Sequence, residues 1–207
     1  MADNVVALPQ RGKVYLSGPN RTPDSTPTTS LALEGIRKVF KDLDYSGSGV
    51  GSRAPRTGGE VICRLVRNSS GRALLPKMCV TWKAGYIGTR VDGFSAVESG
   101  PVAGIVDEWL PSAGVADGDL FWLAVKGPSL CLKESSTTTV AYDNWVAAIT
   151  AAASTTSTTA GRVRAVAATT ESTTTLSHAL NRIGRAMSTS NTSGPSTSLL
   201  VNLDLPF

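Results

Sequence analysis

Few residues in this chain are spaced for chemistry. The run SGSGVGSR at 46–53 has the glycine density of a phosphate-cradling loop. Such a loop needs a preceding strand and a GxxxxGK[ST] opening onto a helix. No Lys follows here, and APRTGG comes next, so the run reads as a linker. His178 is the only histidine, and no GxSxG elbow accompanies it. A Ser/His/Asp triad therefore lacks its nucleophile. Asp117 and Asp119 flank Gly118, with Asp107 and Glu108 ten residues earlier. A DxD pair can hold a divalent cation, yet Asp-Gly-Asp ahead of an apolar run reads as a hairpin turn.

Four tryptophans, Trp82, Trp109, Trp122 and Trp145, have the chemistry of a stacking platform for a sugar or a single-stranded nucleic acid. Most lie in apolar runs, where core packing is their usual role. Trp109, in DEWLPSAG, is the one to test as an exposed contact, although core packing is favoured for it as well. Cys63, Cys79 and Cys131 are odd in number, far apart and without a CxxC. That argues against a disulfide framework or a zinc site, and for buried free thiols. No catalytic residue, cofactor site or metal site is assigned, and an enzyme is not expected.

The elements that would position these residues divide into an arm, 1–58, and a β-rich core, 59–207, with possible halves at 59–133 and 134–207. In the arm, Val14–Leu16 reads as a short strand, and Pro19, Pro23 and Pro27 favour extended or turn backbone. Leu33, Ile36, Val39, Phe40 and Leu43 have the spacing of a short amphipathic helix. In the core, apolar runs at 61–66, 78–82, 102–106 and 120–125 are cut by turn residues. Gly127-Pro128 is expected to end the last of these, with Ser129–Leu132 following. The final third is more than a third Ser and Thr but keeps Val140, Trp145, Val146, Ile149 and a closing LLVNLDLPF. It reads as folded, with a final strand near 199–205. Trp145–Ala153 fits either a helical turn or a strand, and LSHALNRIG fits a short helix. The fold class is mainly β: a β-sandwich or β-barrel, jelly-roll-like, with an extended N-terminal arm and a short helix.

Composition bounds the partners. The chain has 207 residues, 41% of them hydrophobic and only 17% charged, with net charge +4. Residues 1–90 carry 14 Lys/Arg against 6 Asp/Glu, and residues 91–207 carry 6 against 10. The basic half suits an acidic protein surface better than a nucleic acid, for which its charge is modest. No apolar run reaches the roughly 18 residues of a membrane span. With no secretory signal in MADNVVALPQRGK, the sequons at Asn20, Asn68 and Asn191 are not expected to carry glycans, and folding in a reducing cytoplasm is expected.

VICRLVRNSSGRALLPKMCVTW and GPVAGIVDEWLPSAGVADGDLFWLAVKGP carry a resemblance, continued by Thr159–Val163 and Ile183–Met187. Over roughly residues 59–207 the chain resembles head decoration proteins of tailed bacteriophages. The resemblance implies a mostly β cement protein, a homotrimer on the exterior of the virion. Its partner would be the major capsid protein, whose capsomers it bridges. The arm before residue 59 lies outside the resemblance; on its charge, the basic arm is expected to lie across acidic capsid surface through Arg11, Lys13 and Arg21. Alternatives are a tail, fibre or head-completion component, or a carbohydrate-binding β-sandwich.

Overall fold

The computed structural model describes residues 11–12, 34–44, 54–93, 101–134, 139–149, 161–166, 181–190 and 198–205. Among these residues ten strands form one sheet: β1 (Arg37–Asp44), β2 (Ala54–Asn68), β3 (Cys79–Trp82), β4 (Arg90–Asp92), β5 (Val102–Val106), β6 (Leu120–Leu132), β7 (Trp145–Ala148), β8 (Val163–Ala165), β9 (Arg182–Ala186) and β10 (Ser198–Asp204). The protein is mainly β, and no helix occurs among the described residues.

The strand pairings close on themselves. β2 pairs with β4 in parallel, and the ladder continues through β3, β5 and β6 back to β2. A second run leads from β6 through β10, β9 and β7 to β8. There Val163 bridges Lys133, the residue directly after β6. Both circuits therefore share β6. Its side chains alternate between two cores, as a strand's period of two requires. Phe121, Leu123 and Val125 join Val66, Val80, Trp82 and Val106 in one cluster. Leu120, Trp122 and Cys131 join Leu65, Val146, Ile183 and Leu199 in the other. A strand covered on both faces reads as an unbroken apolar run, as LFWLAV does.

Gly127-Pro128 does not end this strand, contrary to expectation. It is the place where β6 changes partner, from β2 up to Lys126 to β10 from Lys126 onward. The β2 ladder slips between Ile62 and Cys63 at the same level. Gly127 has φ +91°, and a Cβ there would run into the carbonyl oxygen of Glu60. Only glycine tolerates both demands.

The expected helix over 33–43 is also corrected: residues 37–44 are strand β1, antiparallel to β2 with Val39 opposite Ile62. Ile36 and Phe40 share a face in either conformation, so their spacing does not discriminate. The β2 ladder decides it, and both side chains pack on the second core. Phe40 meets Trp122 edge-on at 5.2 Å between ring centres. Strand β1 is thus held to the sheet ahead of residue 59, and β2 runs through the boundary expected at 58. Of LSHALNRIG, Arg182–Gly184 belong to β9 and residues 176–180 lie outside the described residues. Trp145–Ala148 resolves as strand. Val14–Leu16 lies outside the described residues.

Gly127→Ala should lower the unfolding free energy by about 2 kcal/mol or more, through left-handed strain and overpacking together. Chemical denaturation would measure it, and an unchanged midpoint would contradict the partner-switch account.

Candidate functional site

Asp107 and Glu108 follow β5 directly, at the end of an apolar strand. Their backbone is fixed there by the Asp107 N–H donating to the Trp122 carbonyl at 3.2 Å. Asp107 is fully buried. Its Oδ1 accepts from Arg11 Nε at 3.1 Å and Nη2 at 2.9 Å, and its Oδ2 accepts from the Gly12 N–H at 2.7 Å. Glu108 accepts from Arg56 through both oxygens, Nη1 at 2.8 Å and Nη2 at 2.9 Å, and from Arg11 Nη2 at 3.5 Å. Arg56 also donates to Asp42, Nη2 at 2.6 Å and Nε at 3.2 Å. The Thr57 hydroxyl completes Asp42 at 2.6 Å.

Local irregularity builds this cluster. The β1–β2 register shifts between Lys41 and Leu43, so one residue of β1 faces a longer stretch of β2. Asp42 sits at that bulge, buried, opposite the stretch that carries Arg56. Three carboxylates and two guanidiniums thus meet from four parts of the chain. Burial alone would depress the Arg11 guanidinium, but Asp107, with smaller help from Cys63 and Glu108, holds it above its ordinary value. For Arg56, burial is likewise outweighed by hydrogen bonds to Glu108 and Asp42. Each of the three carboxylates accepts at least three hydrogen bonds. The cluster is a brace.

Arg11, expected on capsid surface with Lys13 and Arg21, has a side chain only 2% exposed and is held inside its own fold. Lys13 and Arg21 lie outside the described residues, as do His178, residues 46–53, Asn20 and Asn191. Asp117 and Gly118 form the expected turn, and Asp117 accepts from the Gly71 N–H at 2.9 Å. Asn68 is buried, its amide donating to the carbonyls of Arg72 at 2.7 Å and Val115 at 2.9 Å, so it presents no glycan acceptor. Among the described residues no group of His, Cys, Asp and Glu is arranged to hold a metal ion.

The tryptophan at the surface is Trp145, 39% exposed, while Trp82 and Trp122 are buried and Trp109 is half-buried. Trp145 borders a groove of about 660 Å³ where β6 changes partner, along with Ile62, Pro128, Arg185, Met187 and Asn202. The guanidiniums of Arg185 and Arg182 lie over its ring at 4.3 and 4.9 Å. Arg185 is tied in turn to Asp143 at 2.8 Å.

All three cysteines are buried free thiols. Burial pushes the Cys63 thiol up to about 12 against the pull of Arg11, and raises Cys79 and Cys131 as well.

Residue reasoning missed the brace. Its one local signal is the pair Asp107-Glu108 set inside the apolar VAGIVDEWL, since buried charges require partners. Compared with protein-family models and with curated proteins, the chain has no match.

Removing one member of the brace leaves an uncompensated buried charge. Asp107→Ala should therefore cost about 3–5 kcal/mol, whereas Lys126→Ala, which breaks an exposed pair with Asp204, should cost under about 1 kcal/mol. Denaturant unfolding of both variants separates a brace from a surface pair. The thiols give a pH test. A proton held more tightly in the folded state favours folding below the thiol's ordinary value of 9.0 and ceases to as pH climbs toward 12. The thermal midpoint should fall across that window, and less steeply for Cys63→Ala. The native thiols should stay unreactive to a thiol reagent at pH 8 and react once denaturant is added.

Proposed function

We propose that this chain is a structural virion protein that decorates the exterior of a tailed-phage head and bridges capsomers of the major capsid protein as a homotrimer. One observation carries the reading: the Asp107–Glu108–Asp42 cluster is turned inward and held by two guanidiniums, while aromatic and apolar side chains face out on loops. Ile87 is 59% exposed beside Tyr86, with Leu75 and Tyr142 also outward. Such side chains, with few charges, suit contact with other protein surfaces. The resemblance over residues 59–207 points the same way.

We read the two strand circuits as two five-stranded barrels fused along β6, in place of a two-sheet sandwich. Within each circuit a barrel removes free sheet edges, leaving β1 outside them, which suits a protein crowded against copies of itself. With Arg11 engaged internally, outward contacts from the arm fall to Lys13 and Arg21.

The groove at Trp145 supports a second reading, a carbohydrate-binding module. The two guanidiniums over its ring count against it, because they compete with a sugar for stacking on that ring.

Co-sedimentation with mature and empty phage heads tests the first reading, after light scattering has given the mass. A trimer that binds saturably, and binds less well as Lys13→Glu/Arg21→Glu with folding unchanged, supports decoration through the arm. A monomer that ignores both shells defeats it. Glycan-dependent quenching of Trp145 fluorescence would then favour the second.

A further inference from the structure

Arg11 and Gly12 fill a pocket whose other walls belong to the core. Without them, the site holds Asp107, Glu108 and Asp42 against Arg56 alone, three buried carboxylates to one cation. Such a pocket demands a second cation. Its geometry also selects one: Asp107 Oδ1 takes two donors from the same guanidinium, whose Nη2 reaches Glu108 as well. The planar fork of arginine supplies those directions together, and the ammonium of lysine does not. Gly12 adds to the selection. It has φ +74° and stands so close to Trp109 that a Cβ would lie 2.9 Å from that residue's carbonyl oxygen. The site is shaped for an arginine followed by glycine.

Residues 13–33 separate this dipeptide from the start of the described sheet. Fully extended they reach up to roughly 70 Å, against a radius of gyration of about 17 Å for a globule of this length. Every contact described for Arg11 and Gly12 is to the pocket, so the contacts are the same whichever copy supplies the dipeptide. We propose that the Asp107–Glu108 pocket is a receptor for the Arg11–Gly12 turn and accepts it from a second copy of the chain as well as from its own. In an oligomer, this exchange would link subunits with no new interface. That consequence rests on the homotrimer reading above, whereas the receptor itself does not.

The test uses the full-length Arg11→Ala chain and a fluorescent peptide of residues 1–20, alongside the same peptide carrying Arg11→Lys. The arginine peptide should bind saturably and raise the thermal midpoint of the variant, and the lysine peptide should bind roughly tenfold or more weakly. No saturable binding, or equal binding of the two peptides, overturns the proposal. If the variant is recovered unfolded, refolding with each peptide gives the same decision: folded protein with the arginine peptide alone supports the receptor, and equal yields overturn it. Light scattering of the unaltered chain keeps the two readings apart. A monomer whose Arg11→Ala variant binds the peptide retains the receptor and loses the trimer. A trimer whose variant ignores the peptide does the reverse.

Discussion

The structure depends on β6 being buried along both faces. One strand of 13 residues closes two circuits of hydrogen bonds and sends alternate side chains into two cores. Neither core exists without it. This constraint explains the composition of the strand, in which every residue from Leu120 to Val125 is buried. It also explains Gly127. A strand that serves two circuits must leave one partner and take up another, and the crossing with β2 leaves no room for a side chain. Trp122 shows the reach of the arrangement, since it fills the second core and receives Phe40 from β1 on its edge. An aromatic pair of this geometry adds about 0.5–1.5 kcal/mol beyond area burial, enough to help order a strand at the end of the sheet.

Legibility in the sequence followed range. Strands β2, β3, β5, the first half of β6, and β10 announce themselves as β-branched and apolar runs between turn residues, because burial and turn chemistry act over a few neighbours. The turns at Asn68–Gly71 and Asp117–Gly118 were legible for the same reason. The failures were of two kinds. Ile36 and Phe40 have a spacing that strand and helix both satisfy, and only the ladder to β2 breaks the tie. Gly127-Pro128 has the form of a strand terminus, but Pro128 pairs opposite Asn202 in β10, so the strand continues. In both cases a partner distant in sequence overrode a local signal.

The brace was illegible for a stronger version of that reason. Arg11 and Asp107 are 96 residues apart, and Arg56 and Glu108 are 52 apart. Nothing in the neighbourhood of Arg11 distinguishes it from Lys13 or Arg21, and all three read as one basic arm. What separates them is that Asp107 has no exposure to water and must find a cation somewhere. The question that would have found the site concerns the carboxylates: two adjacent acids inside an apolar strand run need guanidinium partners.

Anchoring the arm at residues 11–12 changes what the arm can do. A tail joined only at residue 34 would explore a wide volume and lose much entropy on meeting a distant surface. With Arg11 and Gly12 seated against Asp107, the chain is held to the core at this point as well as at the sheet. The desolvation of Asp107, Glu108 and Asp42 is what makes that anchorage strong, because undocking Arg11 would leave a carboxylate without its counter-charge in the interior. The same burial that obliges these acids to find guanidinium partners makes them the fixed point to which Arg11 is tied.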